Sequence, residues 1–210
     1  VPTRRSSDLG GYFSCLDQQG NVYDTDKFVW LQCRQVWCFS MLYNHADAKK
    51  EWLDMALLGS RFLTRFGRDQ KDNWYFSLTR DGRPLVQPYT IFSDCFAAMA
   101  YGQLSKATGN ALHAEIAIRT FQNIIQRKNN PKGKYSKSYP GTRPLQQFAL
   151  PMILTNLVLE MEHLLEPTMV DDIAGDGIET VMNKFYRPDM GVILEHIDED
   201  GNFSDSFEGR

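Results

Sequence analysis

Hydrophobic and polar positions divide the chain into two kinds of helical segment. In one kind, apolar residues recur at i, i+3, i+4 and i+7, which predicts a helix with one buried and one solvated face. Segments of this kind cover residues 52–66, 117–125 and 170–185. In the other kind, at residues 27–43, 89–106 and 145–163, apolar residues occur nearly all round, as in helices enclosed by protein. The pattern predicts pairs of an inner and an outer helix.

Glycine-marked turns separate these pairs. They lie at Gly20, Gly82, Gly141 and Gly201, and so recur at a nearly constant interval of about 60 residues. Short apolar runs at residues 11–20, 73–82 and 191–201 predict small hairpins, whereas the turn at residues 132–144 is longer and basic. Helix pairs repeated at such an interval are typical of a ring or solenoid.

The length of the repeat predicts that the ring is incomplete. At about 60 residues per pair, 210 residues hold about three and a half units, too few to enclose a cavity. We therefore expect a fragment with exposed apolar surface where the next pair packs. Residues 1–9 show no periodicity and are expected to be a non-native or disordered leader, which leaves residues 10–210 as the folded domain.

Composition narrows the functional classes. The chain is 42% hydrophobic and 23% charged, which is ordinary for a globular protein. A net charge of -3 argues against nucleic acid as a partner, because phosphate binding needs a surplus of cationic side chains. The sequence has no apolar run of about 18 residues and no secretory signal, so a cytoplasmic protein without a membrane partner is predicted.

Cysteine and histidine spacings do not indicate a metal site. The cysteines form no C-x-x-C pair and have no histidine at ligand spacing, so buried free thiols are expected. The histidines are scattered and belong to no H-E-x-x-H motif. These residues are Cys15, Cys33, Cys38, Cys95, His45, His113, His163 and His196.

Four segments of the chain resemble the N-acylglucosamine 2-epimerase family, a group that includes the renin-binding protein and, more distantly, cellobiose 2-epimerases and mannose isomerases. They are GGYFSCLDQQGNVYDTDKFVWLQCRQVW (10–37), SDCFAAMAYGQLSKATGN (93–110), KGKYSKSYPGTRPLQQFALPMILTNL (132–157) and LEHIDEDGNFSDSFEGR (194–210). The first and third are the most specific. The resemblance implies an all-α partial (α/α)6 barrel, the N-terminal half, with about six of twelve helices in inner and outer pairs and short β-hairpins at one end.

The resemblance also implies a reaction. Family members interconvert N-acetylglucosamine and N-acetylmannosamine: the sugar ring opens, one histidine removes the proton from carbon 2, and another returns it on the opposite face. No cofactor is required. None of the four histidines matches the family's proton-transfer positions, so no catalytic residue is assigned and the 210-residue chain alone is expected to be inactive.

Three alternatives stay open. A related mannose isomerase or cellobiose 2-epimerase-like enzyme would share the barrel. A protein-binding helical module belongs to another class, since helix-pair solenoids present concave surfaces. A carbohydrate hydrolase ranks last, because no recognisable pair of carboxylates is present.

Arg34 is the first candidate for substrate binding. It lies in an inner segment among apolar residues, where a guanidinium must be paired or must face a polar cavity. The family's sugar-contacting arginine has the same WLQ-x-R context. The alternative is a structural ion pair with a carboxylate such as Asp26 or Asp94. Trp30, one helical turn earlier, is an aromatic wall for the sugar or a core residue.

Further candidates are weaker. Asp94, between two phenylalanines, holds a sugar hydroxyl or pairs with an arginine, and Glu195 contacts the sugar or supports a turn. Lys134 and Arg143 lie in a glycine-containing basic turn that resembles a segment proposed to bind ATP as an activator in the family. A solvated loop is the alternative for that turn, since it lacks the P-loop pattern. A sugar substrate and a homodimer complete the implied partners.

Overall fold

The computed structural model describes residues 9–88, 90–129 and 145–203. These residues form two compact units, the first on the N-terminal side of residue 135 and the second beyond it. The first unit contains helices α1 (Val29–His45), α2 (Lys50–Phe66), α3 (Phe92–Thr108) and α4 (Ala111–Arg127). The second contains α5 (Ala149–Glu160) and α6 (Pro167–Thr180), which continues through one π-helical turn at Val181–Phe185.

Short antiparallel strands accompany the helices. The strands are β1 (Cys15–Leu16), β2 (Val22–Asp24), β3 (Lys27–Phe28), β4 (Ser77–Leu78), β5 (Pro84–Val86), β6 (Leu145–Gln147), β7 (Tyr186–Arg187), β8 (Val192–Ile193) and β9 (His196–Asp198). In the first unit β1 pairs with β2, and β4 lies between β3 and β5. In the second unit β6 pairs with β9, and β7 with β8.

The first unit contains the predicted inner and outer helices. Helix α1 packs against α2 and α3, and α3 also packs against α4. Helix α3 is enclosed: all of residues 93–105 except Phe96 are buried. The outer helices bury one face each, which includes Phe62 and Leu63 in α2 and Phe121 and Ile124 in α4. Helix α1, which the pattern also predicts to be enclosed, buries one side only and leaves Arg34 and Cys38 exposed. The two patterns therefore identify α3 as enclosed and α2 and α4 as solvated on one face, but they overestimate the burial of α1.

Helix starts differ from the sequence prediction at two places. Residues 27–28 and 145–147 were expected to be helical but form β3 and β6. Distant strands supply their backbone hydrogen bonds, β4 to the first and β9 to the second, and local periodicity does not report such partners. Pro151 predicts a kink or a late start of the third inner helix. The late start is confirmed, because Pro151 lies in the first turn of α5, where its missing N–H costs no intrahelical bond.

The second unit is less enclosed than the first. One of its buried clusters consists of Phe185, Leu194 and Ile197, with Phe148 packed against it. Helix α5 buries one side against α6 but leaves Met152 45% and Leu159 51% exposed. Both side chains lie in a groove beside α6, so α5 is less enclosed among the described residues than the sequence predicts.

Three of the predicted glycine turns are present with left-handed backbone. Gly20, Gly82 and Gly201 have φ of 79°, 88° and 86°, a conformation that glycine adopts without strain. Each glycine N–H donates to the carbonyl three residues earlier, in a five-residue loop closed by a further backbone bond. The fourth predicted turn, at Gly141, lies outside the described residues.

Among the residues that the structure describes, the same loop occurs once without glycine. In Asp69–Asn73, Asp72 takes the left-handed position with φ 60°. The Asp69 carboxylate accepts from Lys71 N at 2.8 Å and from Asn73 N at 2.9 Å, and the Asn73 amide donates to it as well. Asp17 and Asn21 make the equivalent contacts. Side-chain caps at both ends therefore hold this loop where the sequence offers no glycine signal.

The internal repeat also governs the buried polar contacts. Gln32 on α1 accepts a hydrogen bond of 2.8 Å from Tyr12 N, and Asp94 on α3 accepts one of 3.5 Å from Trp74 N. The two acceptors are separated along the chain by the same interval as the two aromatic donors, and that interval also separates Gly20 from Gly82. Helices α1 and α3 thus each bind the backbone of the aromatic residue that precedes the acceptor by 20 positions.

Candidate functional site

Arg34 lies beside two aromatic rings in the first unit. Trp30 is in the first turn of α1 and Arg34 follows four residues later, so their side chains leave the same side of the helix. The Arg34 guanidinium carbon lies 5.7 Å from the Trp30 ring centroid and 5.4 Å from that of Phe96 on α3. The rings themselves are 6.2 Å apart. We call Trp30, Arg34 and Phe96 the arginine cluster.

The guanidinium of Arg34 is available to a ligand. Arg34 is exposed, and within residues 9–88, 90–129 and 145–203 its guanidinium forms no salt bridge with a carboxylate. The expected alternative pairing with Asp94 does not occur, because Asp94 binds Arg127 instead. Ring faces attract a guanidinium without neutralising it. Arg34 therefore keeps its full charge and its five donors for an oxygen-bearing ligand.

Phe96 is the member of the cluster that sequence reasoning missed. Its signal was present in the repeat, because Phe96 follows Arg34 at the interval that separates Gly20 from Gly82. Equivalent positions on adjacent inner helices face the same side when the helices repeat the same packing. The repeat thus brings an arginine on α1 next to a phenylalanine on α3.

Asp94 is buried away from solvent, and its oxygens have different surroundings. Oδ1 accepts a hydrogen bond of 3.1 Å from Arg127 Nη1 at the end of α4 and one of 3.5 Å from Trp74 N. Oδ2 has no hydrogen-bond partner among the described residues. Burial raises the pKa of Asp94 to about 7, and the nearby Arg127 charge offsets only part of that rise.

The contacts of Asp94 fit the structural alternative raised from the sequence. Arg127 also donates a 3.1 Å hydrogen bond to Asn73 Oδ1, so Asp94 joins α3 and α4 to the loop at Asp69–Asn73. None of the polar contacts of Asp94 in the described part of the chain involves Trp30 or Arg34. A sugar contact from Asp94 stays a prediction.

Glu195 lies in the second unit, between β8 and β9, and is exposed. Its backbone carbonyl accepts a 3.1 Å hydrogen bond from Phe148 N, the residue before α5. That contact supports the helix start through the main chain and leaves the carboxylate free of this task. A sugar contact from the carboxylate also stays a prediction.

The candidates for ATP binding and for metal binding remain to be placed. Lys134 and Arg143 lie outside the described residues. In the described part of the chain, His, Cys, Asp and Glu form no group of three or more that suits a metal ion. All four cysteines are free thiols, but only Cys33 and Cys95 are buried as predicted, whereas Cys15 is half-buried and Cys38 is exposed. The described helices are too short or too polar to cross a membrane.

Comparison with known proteins identifies the family to which the chain is similar. The family model described as N-acylglucosamine 2-epimerase (GlcNAc 2-epimerase) matches residues 11–210. The N-acylglucosamine 2-epimerase of Mus musculus is 37% identical over 198 residues, which cover 91% of this chain and 47% of the mouse protein. The chain thus spans about half the length of the curated relatives that it matches.

Solved structures show the same fold at lower identity. The cellobiose 2-epimerase of Bacillus thermoamylovorans B4167 matches with a TM-score of 0.80 and 18% identity over 94% of this chain and 55% of that one. A D-mannose isomerase matches with a TM-score of 0.76 and 15% identity over 97% of this chain and 53% of that one. The predicted fold class, an all-α partial (α/α)6 barrel built of inner and outer helix pairs, is confirmed.

Proposed function

Because the chain belongs to the N-acylglucosamine 2-epimerase family, we propose that the complete protein interconverts N-acetylglucosamine and N-acetylmannosamine. The identity of 34–37% to four mammalian N-acylglucosamine 2-epimerases supports this substrate class. A related activity on mannose or cellobiose is the second candidate, because the solved relatives with the same fold carry those names.

The observation that carries the proposal is the arginine cluster. Removal of the carbon 2 proton from the open-chain N-acetylated sugar leaves an enolate, whose oxygen at carbon 1 bears negative charge that the ground state lacks. An exposed guanidinium between two rings is a positive charge with several donors, which suits that oxygen. Arg34 is therefore proposed to bind the enolate oxygen, and Trp30 to form the wall on which the sugar chain packs.

The proton balance of the reaction defines what Arg34 does and does not do. A base takes the carbon 2 proton, the electron pair moves to the carbonyl oxygen at carbon 1, and an acid returns a proton to the opposite face of carbon 2. No net oxidation occurs. A guanidinium has a pKa far above neutrality, so Arg34 stabilises the oxygen by hydrogen bonding and charge and does not transfer the proton. We assign no proton-transfer residue to this chain.

Glu195 is proposed to make a secondary sugar contact through its exposed carboxylate. Asp94 is proposed as a second such contact on its sequence position alone, because its carboxylate is buried and bound to Arg127. Lys134 and Arg143 are proposed to bind the phosphates of ATP as an activator, on the strength of their basic turn alone. A homodimer and a cytoplasmic location are part of the same proposal.

We also propose that residues 10–210 form the N-terminal half of the barrel. Support comes from the coverage of about half of each curated relative and from an apolar groove in the second unit. The groove has a volume of about 330 Å³ and lies between α5 and α6, with Met152, Leu159, Ile178 and Met182 in its walls. All four side chains are exposed. A following inner helix with apolar residues would remove this surface from water.

Solvent isotope exchange tests the proposed reaction. The complete protein is incubated with N-acetylmannosamine in D2O, and carbon 2 is followed by proton NMR. We expect deuterium at carbon 2 and the appearance of N-acetylglucosamine, since both directions pass through the same enolate. Mannose and cellobiose are run in parallel. Exchange in either of these sugars without exchange in N-acetylmannosamine would support the second candidate and reject the first.

A further inference from the structure

Phe96 stands out on α3. All other residues from 93 to 105 are buried, whereas the Phe96 ring is only half-buried. A large apolar ring left partly in water at the centre of an enclosed helix forgoes burial energy. Its two ring and cation contacts in the described part of the chain are Trp30 and the Arg34 guanidinium.

The two rings of the arginine cluster hold Arg34 in different ways. Trp30 is on the same helix as Arg34, so its contact leaves the side chain free to swing with α1. Phe96 is on α3, and its ring centroid is 5.4 Å from the guanidinium carbon. Because α3 is the most enclosed helix of the unit, Phe96 fixes the guanidinium relative to the core rather than only to its own helix.

We propose that Phe96 is a positioning residue that orients the Arg34 guanidinium toward the enolate oxygen at carbon 1. The inference rests on the proposed function and adds to it a residue that does not itself touch the reacting atoms. The negative charge on that oxygen develops only in the transition state, so loss of orientation lowers kcat more than it raises KM.

Kinetics of three variants of the complete protein test the proposal. Phe96→Leu removes the ring but keeps most of the apolar volume, and we expect kcat to fall about tenfold with KM changed less than about twofold. Phe96→Tyr keeps the ring and restores kcat. Phe92→Leu is the matched control, because Phe92 is a half-buried phenylalanine one turn earlier on α3 with no ring or cation contact to Trp30 or Arg34 among the described residues. This control leaves kcat unchanged.

An NMR readout of Arg34 separates this inference from the epimerase activity. In protein labelled with 15N-arginine, the Arg34 Nε–H signal is assigned from its loss in Arg34→Lys. In the wild-type protein we expect a ring-current-shifted Nε–H signal with a positive heteronuclear NOE. In Phe96→Leu the signal should move toward the chemical shift of free arginine and its NOE should fall. In Phe92→Leu both should stay at the wild-type values.

Each outcome decides one point. An Arg34 signal that is insensitive to Phe96→Leu overturns the positioning contact. A signal that responds while kcat stays at the wild-type value overturns its catalytic consequence. A complete protein with no exchange at carbon 2 rejects the proposed function, and with it the role of Phe96 in that reaction, even where the NMR contact is present. A response of both signal and kcat supports the proposal.

Discussion

Asp94 on α3 and Arg127 at the end of α4 form a hydrogen-bonded ion pair of 3.1 Å, in which the carboxylate is fully buried and the guanidinium reaches partly into solvent. The difference in burial matters because the carboxylate has lost its hydration. The Arg127 guanidinium donates a hydrogen bond to Oδ1, whereas Oδ2 has no partner among the described residues. The pair therefore holds α4 and the loop at Asp69–Asn73 against α3 at an electrostatic cost.

This cost makes stability depend on pH near neutrality. The pKa of Asp94 is raised from 3.8 to about 7, so between these values the folded protein binds a proton that the unfolded chain has released. The free energy of unfolding should then fall as pH rises from about 4 to about 7, by an amount on the order of a few kcal/mol.

Asp94→Asn removes the titration and serves as the reference for this effect. Urea unfolding at pH 5, 6, 7 and 8 should show wild-type protein losing stability relative to Asp94→Asn with each step up to about pH 7. Parallel curves for the two proteins would show that Asp94 is already ionised across this range.

Arg34→Ala should affect turnover far more than folding. Loss of one preorganised donor to a developing oxyanion typically lowers kcat by about 100- to 1,000-fold. The side chain is exposed, and its ring contacts contribute about 0.5–1 kcal/mol, so the melting temperature should change little. Arg61→Ala, an exposed arginine on α2, is the control and should retain full activity. A large drop in soluble protein with unchanged specific activity would assign Arg34 to structure.

Gln32→Leu should destabilise the first unit. The Gln32 amide accepts from Tyr12 N at 2.8 Å and donates to Tyr12 O at 3.0 Å, and both bonds are buried. Leucine fills the volume but leaves a buried N–H and carbonyl unpaired, at a cost of about 2–4 kcal/mol. Gln35→Leu, a half-buried position on the same helix, is the matched substitution and should change the free energy of unfolding by less than about 0.5 kcal/mol. Equal losses of unfolding free energy in the two variants would contradict a stabilising role of the hydrogen bonds between Gln32 and Tyr12.

Two glycines in outer helices should respond with opposite signs to the same substitution. A Cβ at Gly59 on α2 would lie 2.6 Å from Tyr12 Cζ, and the Tyr12 ring is buried and unable to move aside. Gly59→Ala is expected to lower the free energy of unfolding by about 1–2 kcal/mol despite the better helix propensity of alanine. At Gly175 on α6 an added Cβ would meet open space, so Gly175→Ala should raise the free energy of unfolding by about 0.5–1 kcal/mol. Thermal melts of both variants measure the difference, and stabilisation at Gly59 would refute the close packing of Tyr12.

Sequence patterns captured the helix pairs well because burial repeats with the helical period. The amphipathic segment of α2 and the all-apolar segment of α3 each predict which faces are buried, and the structure agrees. The same reasoning failed where strands with distant partners replaced the first helical turn, at Lys27–Phe28 and Leu145–Gln147. It also missed the loop at Asp69–Asn73, since side-chain caps there substitute for the usual glycine.

The candidate site was reached only in part. Arg34 and Trp30 are one helical turn apart, so their shared side of α1 follows from helix geometry alone. Which carboxylate pairs with which arginine did not follow: Arg34 and Arg127 were equally available to Asp94 in sequence, and the packing of α3 against α4 selects Arg127.

The sequence by itself determined the period of about 60 residues, the enclosed character of α3, the single solvated faces of α2 and α4, and the left-handed glycine turns, because each is a local property of a short stretch. Only the tertiary structure decided that Phe96 meets Arg34 and that Asp94 is committed to Arg127. Those contacts join different helices, and they are set by how enclosed side chains fill the space between α1, α3 and α4.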